Sequence, residues 1–340
     1  MLPTLQEQFS LRRFNSFGVE ARARYFCRVR GADELAALAA EPSLAGLPRL
    51  VLGGGSNLLL TGDFDGLVIK VEVGGLRELG EAGEAWHVEV GAGENWHATV
   101  ERLLALGRPG LENLALIPGN CGAAPIQNIG AYGMELAERF DSLLAWDFET
   151  GQPVRMSAAD CDFGYRDSVF KHALAGRRVI LSITLALPRQ WKAVAGYADV
   201  SQELKARAIQ QPGPRDIFDA VVAIRRRKLP DPATIGNAGS FFKNPIVSRD
   251  EYRGLIAHHP SLVGYPLSGG RVKLAAAWLI DAAGLKGATR GRAGVYEKQA
   301  LVLVNRGGAS GGEILALARE VQDKVAEKFG IRLEPEPVIV

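Results

Sequence analysis

Cysteine is scarce in this 340-residue chain, which contains only three. Cys27, Cys121 and Cys161 are an odd number with no CxxC spacing, and this argues against both a disulfide framework and a structural zinc site. The five histidines form no HExxH or similar ligand pattern, so a metal site is not expected. This cysteine usage makes the cytoplasm the default location.

Long apolar runs and a strong net charge are missing as well. No apolar run reaches membrane-spanning length, and the N-terminus lacks the basic region and apolar stretch of a signal peptide. The formal net charge of +2 is too small to indicate a nucleic-acid or membrane partner. A hydrophobic content of 47% is typical of a globular protein, and the length predicts two or three domains.

Strands and helices alternate along the chain. Residues 20–72 read as a small β-α-β unit, with strands predicted at 25–29, 48–52 and 67–71 and a helix at 32–40. Further strands are predicted at 86–90, 142–147, 178–187 and 300–305, and further helices at 96–106, 215–228, 275–283 and 311–329. The proline breaker at 229–232 is a natural domain boundary.

A glycine-rich loop follows the strand predicted at 48–52. It contains Gly53, Gly54, Gly55, Ser56 and Asn57. Successive glycines can direct several backbone N–H groups into one concavity that binds phosphate oxygens. The spacing is neither GxGxxG nor GxxxxGK[ST], so it indicates no Rossmann or P-loop fold. These residues alone leave a phosphate cradle and a plain tight turn equally open.

A second glycine-rich run covers residues 117–133. Its 17 residues are many for a loop without a function, and nearly all are small or carry an amide. Such a lining suits a flat, extended cofactor, although a pair of turns with a buried connection is the alternative. Two cradles on separate segments favour a dinucleotide with a pyrophosphate. The candidate contacts are Pro118, Gly119, Gln127, Asn128, Gly130, Tyr132 and Gly133.

A third segment, residues 235–245, presents one hydroxyl among small residues. Gly236, Ala238 and Gly239 allow a sharp turn and a close approach, and Ser240 is followed by two phenylalanines, Lys243 and Asn244. A rigidly held hydroxyl of this kind is a candidate proton donor or orienting group. The alternative is a glycine-rich turn into a strand.

Several other residues carry weaker signals. Arg166 stands in an aromatic setting suited to a planar carboxylate, but a surface arginine paired with Asp167 is the favoured interpretation from these residues alone. The basic run 225–228 is typical of a solvated helix end, at least in its first three residues. Tyr197 and Glu336 indicate nothing by themselves.

Taken in order, these segments resemble the UDP-N-acetylenolpyruvoylglucosamine reductase (MurB) family of peptidoglycan synthesis. The resemblance covers nearly the whole chain, and its most specific segment is the one around Ser240. The matching stretches are 15–18, 53–57, 117–119 with 127–133, 165–168, 236–245 and 333–336. The segment around Tyr197 resembles the family's long form, in which a tyrosine loop closes over the substrate. The departures are mild: Ser16 replaces the usual threonine, Ala198 a common glycine, and Pro337 follows Glu336.

The resemblance implies an α+β fold in three parts. A two-part FAD-binding domain of the p-cresol methylhydroxylase type would comprise residues 1–74 and 75–228. A C-terminal α+β substrate-binding domain would comprise residues 229–329, and the tail 330–340 would pack back near the first part.

The resemblance also implies cofactors and a reaction. FAD and NADPH would serve the reduction of an enolpyruvyl ether to a lactyl ether on a UDP-sugar. Ser240 would be the proton donor, while Arg166 and a protonated Glu336 would hold and polarise the substrate carboxylate. The implied substrate contacts are Tyr197, Lys228, Asn244 and Gln299. No nucleic acid, membrane or obligate protein partner is expected.

Two rival functions stay open at this point. An oxidase of hydroxy acids or sugar lactones on the same flavin scaffold would share the glycine loops but would not need the Ser240 segment. A nucleotide-sugar binding protein without turnover would be colourless when purified, whereas a flavoenzyme is yellow.

Overall fold

The structure is a computed structural model that describes residues 1–340. The chain forms two compact units, and each is assembled from several stretches of sequence. The first comprises Met1–Phe9, Ala23–Gly55 and Phe64–Arg227, and the second comprises Ser10–Arg22, Ser56–Asp63 and Lys228–Val340. None of the helices combines the length and apolar composition that crossing a membrane requires.

Strands and helices are mixed throughout, as predicted. The strands are β1 Gln6–Ser10, β2 Arg22–Val29, β3 Arg49–Leu52, β4 Leu58–Leu59, β5 Phe64–Val71, β6 Leu76–Ala82, β7 Ala85–Gly91, β8 Gly130–Ala131, β9 Met134–Glu135, β10 Phe140–Asp147, β11 Gln152–Ser157, β12 Arg178–Pro188, β13 Gly236–Ser240, β14 Ile246–Ser248, β15 Gly264–Pro266, β16 Arg271–Leu274, β17 Thr289–Arg290, β18 Ala293–Val295, β19 Val302–Asn305 and β20 Val338–Ile339. The helices are α1 Ala32–Ala39, α2 Trp96–Ala105, α3 Ala158–Cys161, α4 Ala198–Ala206, α5 Pro214–Lys228, α6 Arg249–His258, α7 Ala276–Ala282 and α8 Gly311–Phe329.

The first unit begins with a four-stranded sheet in the order β1-β2-β5-β3. Strands β2 and β3 both run parallel to β5, which confirms the predicted β-α-β unit. Leu67, Val68 and Ile69 are all buried, so β5 is covered on both faces. A continuous apolar run is what a central parallel strand requires.

A five-stranded antiparallel sheet completes the first unit. Its strand order is β11-β10-β12-β7-β6. One hydrophobic core joins both sheets to α2 and α5, and it includes Ile69, Trp96, Ile183 and Ile224. The indole N–H of Trp96 donates to the Leu114 carbonyl at 2.9 Å, so this large core residue also holds the segment that leads into the second glycine-rich loop.

Asp147 ends β10 with a carboxylate that is only 1% exposed. Burial opposes its charge, but hydrogen bonds from the Glu149 N–H at 2.9 Å and from Arg178 Nε at 2.9 Å outweigh this and lower the pKa of Asp147 to about 2. Arg177 lies further away, at 3.4 Å. This buried network ties β10 to the start of β12.

The second unit contains the sheets β13-β19-β18-β17 and β14-β16-β15. Its long helix α8 has the predicted bounds because the sequence carries both end signals. The Ser310 hydroxyl accepts from the Glu313 N–H at 3.2 Å, and the Glu313 carboxylate accepts from the Ser310 N–H at 2.8 Å. Gly330 then ends the helix in the left-handed region at φ 68°.

The C-terminal tail adds a short strand to the second unit. β20 pairs in parallel with β4, and Val338 N–H donates to the Asn57 carbonyl at 3.0 Å. β4 falls inside the predicted segment 1–74, although it clusters with the C-terminal stretch. The predicted domain boundaries follow chain order and stay a prediction.

Candidate active site

Gly53 and Gly54 of the first glycine-rich loop lie against the second loop, and both stretches belong to the first unit. A Cβ placed on Gly54 would stand 2.8 Å from Gly119 Cα and 2.9 Å from Asn120 Oδ1. A Cβ on Gly53 would stand 3.3 Å from Ala123 Cβ, and the Gly53 carbonyl accepts from Lys70 Nζ at 2.6 Å. The loops are 60 residues apart in sequence, and the absence of a side chain at Gly54 permits this approach.

Asn128 gives the second loop its shape. It is 1% exposed and adopts φ 43°, in the left-handed region. Its side-chain amide donates to the Glu135 carboxylate at 2.9 Å and to the Gly164 carbonyl at 3.1 Å, and its Oδ1 accepts from the Ala137 N–H at 2.9 Å. This predicted cofactor residue therefore organises the loop from within. Pro118, Gly119, Gln127, Gly130, Tyr132 and Gly133 belong to the same run.

The side chain of Arg166 lies against this second loop. Its Nη2 donates to the Gly130 carbonyl, and its Nη1 lies 4.0 Å from a Glu135 carboxylate oxygen. The Arg166 side chain is only 18% exposed and its backbone is left-handed, at φ 55°. The predicted surface position of Arg166 is therefore wrong, because folding brings it against a loop 36 residues earlier in the chain, whereas its pairing with Asp167 stays a prediction.

Ser240 is the last residue of β13 in the second unit, directly after Gly239 at φ 70°. The buried Asn237 fixes the strand. Its N–H donates to the Ser16 carbonyl at 3.0 Å, and its Oδ1 accepts from the Gly239 N–H at 2.9 Å. The next residues, Phe241 and Phe242, are almost completely buried, so the Ser240 backbone is anchored on both sides.

The tail delivers Glu336 to the same place. The Glu336 N–H donates to the Phe241 carbonyl at 2.8 Å, and the Lys243 N–H donates to the Glu334 carbonyl at 2.9 Å. The Asn57 side-chain amide also donates to the Glu336 carbonyl, at 3.3 Å. Glu336 is therefore hydrogen-bonded to Phe241, the residue after Ser240, although 95 residues separate Glu336 from Phe241 in sequence.

The four predicted substrate-binding residues lie in different parts of the fold. In the second unit, Asn244 Oδ1 accepts from the first N–H of α7, that of Ala276, at 3.0 Å, and Gln299 Oε1 lies 3.4 Å from the Leu301 N–H. Lys228 ends α5. In the first unit, Tyr197 directly precedes α4 and is 39% exposed.

Tyr197 contacts the second loop of the first unit through Tyr132. Their ring centroids are 5.4 Å apart in an edge-to-face arrangement at 84°. Burial raises the pKa of the Tyr132 hydroxyl, with a smaller opposing effect from Arg225. The predicted tyrosine loop and the predicted cofactor loop are therefore neighbours, which the sequence does not show.

Two further residues of this region, Asn113 and Arg225, were not identified as structurally important from the sequence. The Asn113 amide donates to the carbonyls of Tyr132 at 2.9 Å and Val194 at 2.8 Å. It therefore links the second glycine-rich loop to the segment that leads to Tyr197. Arg225 was assigned to a solvated helix face, but its Nε donates to the Leu116 carbonyl at 3.2 Å, and burial lowers its pKa. The spacing along the helix could have indicated this burial. Arg225 follows the buried Val221 by four positions, and residues four apart lie on the same face of a helix.

Comparison with known proteins places both units in a family. Residues 231–340 match the family profile described as "UDP-N-acetylenolpyruvoylglucosamine reductase, C-terminal domain", and residues 23–157 match the profile "FAD binding domain". These matches confirm the predicted FAD-binding domain and the C-terminal domain that follows it.

Whole-length relatives give the same result. The chain is 57% identical to the UDP-N-acetylenolpyruvoylglucosamine reductase of Ralstonia nicotianae over 340 residues, covering 99% of both chains. It is 56% identical to that of Burkholderia ambifaria, covering 96% of this chain and 94% of the relative. A crystal structure of the Thermus caldophilus enzyme, 23% identical, shares the fold with a TM-score of 0.66 over 100% of this chain and 99% of the other. The chain belongs to the UDP-N-acetylenolpyruvoylglucosamine reductase family.

Proposed function

We propose that this protein is an NADPH-dependent flavoenzyme. It reduces the enolpyruvyl ether of UDP-N-acetylglucosamine-enolpyruvate to UDP-N-acetylmuramate, a step of peptidoglycan precursor synthesis. The observation that carries the proposal is the hydrogen bond from Glu336 N–H to the Phe241 carbonyl, which sets the Glu336 backbone beside the Ser240 strand end. We further propose that it works in the cytoplasm and needs no protein partner. Its proposed domains are those predicted above, residues 1–74, 75–228 and 229–329, with the tail 330–340 packing back near the first.

The residues of the first unit fit FAD. Gly53 and Gly54 pack so closely on Gly119 and Asn120 that a side chain at Gly54 would fill the space between the loops. Bare backbone on two adjoining loops is what a pyrophosphate and an extended cofactor require. When bound, FAD supplies hydride transfer between NADPH and the substrate. The proposed contacts in the first unit are Gly53, Gly54, Gly55, Pro118, Gly119, Gln127, Asn128, Gly130, Tyr132 and Gly133. Ser56 and Asn57, the two predicted contacts that follow Gly55, belong to the second unit.

Ser240 has the properties of a proton donor for this reaction. Hydride addition to the terminal carbon of the enolpyruvyl double bond leaves negative charge on the adjacent carbon, which is a very basic centre. A serine hydroxyl, although a weak acid, can protonate such a centre if it is held in place. The fixed strand end between Asn237 and Phe241 supplies that positioning.

Arg166 and Glu336 are proposed to bind the substrate carboxylate. Charge that develops next to a carboxylate spreads into it, so a cation or an acid at that position stabilises the transition state. The planar guanidinium of Arg166 is permanently charged and held by the Gly130 carbonyl. Glu336 contributes only as the protonated acid, which a dry pocket would favour.

The remaining substrate contacts are assigned to Tyr197, Lys228, Asn244 and Gln299. Lys228 offers a flexible point charge to a diphosphate oxygen. The partly exposed Tyr197 and the amides of Asn244 and Gln299 offer contacts to the sugar and the uracil. The edge-to-face packing of Tyr197 on Tyr132 supports a role for the tyrosine loop near the cofactor loop.

The test is Ser240→Ala with the two half-reactions measured separately. Anaerobic stopped-flow at the flavin absorbance should show nearly normal flavin reduction by NADPH but a severe loss of flavin reoxidation by the enolpyruvyl substrate. Ser261→Ala, at an exposed position of the same unit, is the matched control and should leave both rates unchanged. Equal losses in both half-reactions would remove Ser240 from the role, and colourless protein or oxygen uptake without NADPH would refute the function itself.

A further inference from the structure

A cavity of about 740 Å³ lies within the second unit, apart from the residues proposed for catalysis. Residues 12, 13, 15–18, 232–236 and 305–308 line it, and none of the residues proposed above for cofactor or substrate is among them. Its volume lies in the range of about 300–1,000 Å³ that is typical of small-molecule sites. We call it the arginine cavity.

The charge of this lining has one sign. Arg12, Arg13 and Arg306 line the cavity, and no aspartate, glutamate, lysine or histidine does. Arg12 and Arg13 form no ion pair. Arg306 has one carboxylate nearby, that of Glu297 at 3.3 Å, and the Glu297 side chain is 54% exposed. The lining therefore carries three cations, of which only Arg306 has a carboxylate partner, and its field favours anions.

The lining segment 305–308 is held rigidly by Asn305. Its Oδ1 accepts from the N–H groups of Gly307 and Ala309, both at 2.9 Å, and its amide donates to the Phe17 carbonyl at 2.9 Å. Gly307 and Gly308 have φ values of 114° and 75°, which a side chain would not tolerate. This segment is therefore formed before any ligand arrives, which lowers the entropic cost of binding.

Ser16 adds an unsatisfied donor. It lines the cavity, and its hydroxyl oxygen is buried without a hydrogen-bond partner in the protein. A buried hydroxyl without a partner is unusual and costs stability. An oxygen atom of a bound anion is the kind of acceptor that would satisfy it.

We propose that the arginine cavity binds a small molecule carrying two or more negative charges in phosphate or carboxylate groups. Guanidinium groups match the planar oxygen pairs of both. The only aromatic residue of the lining, Phe17, is 1% exposed, so no ring is available to stack on a base. The ligand is therefore recognised by its charge and not by a nucleobase. This site does not depend on the function proposed above.

Isothermal titration of the FAD-loaded protein with pyrophosphate tests the proposal. Saturating UDP-N-acetylglucosamine should be present, so that the proposed substrate site is occupied. Saturable binding is expected, and the double variant Arg12→Met/Arg13→Met should weaken it at least tenfold. Arg332→Met is the matched control, because Arg332 is an exposed arginine of the same unit outside the cavity, and it should bind as the unaltered protein does. Citrate in place of pyrophosphate distinguishes carboxylate from phosphate recognition, and neutral myo-inositol should not bind.

The proposed site is refuted if the binding of pyrophosphate does not saturate. It is also refuted if the double variant and Arg332→Met lose affinity for pyrophosphate equally, because non-specific charge attraction would have that effect. Hydrogen exchange provides a second measurement that does not require the variants. Pyrophosphate should protect the amides of residues 305–308, and protection confined to other segments would place the ligand elsewhere. Flavin reduction by NADPH should be unchanged in both variants, so a failure of this site is distinguishable from a failure of the proposed function.

Discussion

Gly54→Ala tests whether contact between the two glycine-rich loops creates the cofactor cradle. The new methyl group would stand 2.8 Å from Gly119 Cα and 2.9 Å from Asn120 Oδ1. Neither neighbour moves easily, because the first is backbone and the second belongs to a side chain that donates to the Gly93 carbonyl. Gly54 does not need a positive φ, so the substitution acts through sterics alone.

The size of the effect follows from overpacking. A methyl group forced into a filled site costs about 1–3 kcal/mol. If the loops stay together, that cost lowers the stability of the first unit, and a unit of this size loses roughly 2–4 °C of melting temperature per kcal/mol. If the loops separate, the affinity for FAD falls instead. At about a factor of ten per 1.4 kcal/mol, the expected decrease is roughly 5- to 150-fold.

Two measurements capture both outcomes: thermal unfolding of the flavin-free protein and fluorescence titration with FAD. Gly53→Ala, whose methyl group would stand 3.3 Å from Ala123 Cβ, should give a smaller effect. Gly31→Ala is the control, since Gly31 has an extended φ of −175° and nothing within 4 Å of the added Cβ. If Gly54→Ala matches Gly31→Ala in both measurements, the loop contact does not shape the cradle.

Three further predictions concern single side chains. Arg166→Lys should reduce kcat/KM for the enolpyruvyl substrate at least a hundredfold, because a lysine cannot reproduce a planar two-point contact; near-normal turnover would exclude Arg166 from the site. Asn113→Ala should leave two carbonyls without a donor, lowering the free energy of unfolding by about 1–3 kcal/mol and raising the KM for the nucleotide sugar; an unchanged KM in steady-state kinetics would separate Asn113 from the tyrosine loop. For Asp147→Asn, the folded-state pKa of the native carboxyl, about 2, lies below the ordinary 3.8. Its stabilising effect is therefore complete above about pH 4 and is lost as the pH falls towards 2. Urea unfolding should show the native protein more stable than the variant at pH 7, with the gap closing at low pH, and a gap independent of pH would contradict the assignment.

Much of the secondary structure was predictable because its signals are local. The apolar run of β5 and the capping residues of α8 predict these elements with nearly the observed bounds. Helices α4 and α6 were not predicted. Helix α6 has no buried residue, and most of its residues are charged or polar, so it offers few apolar positions from which a helix could be predicted.

The candidate site divides in the same way. Ser240 and the glycine loops stand out in the sequence because unusual backbone needs unusual composition. Glu336 and Tyr197 carry no such signal, and only the family resemblance indicated them. The interpretation of Arg225 as solvated was wrong, because a basic run on a helix does not reveal which of its members faces the interior.

The sequence by itself determined where the backbone can bend, where strands and helices begin and end, and which family the chain resembles, since these depend on residues close together in the chain. Only the tertiary structure decided which distant segments meet: Gly54 on Gly119, Arg166 on Gly130, and Glu336 beside Phe241. Each contact closes a loop of tens of residues, and that closure is stabilised by packing of the whole unit. No local pattern encodes it.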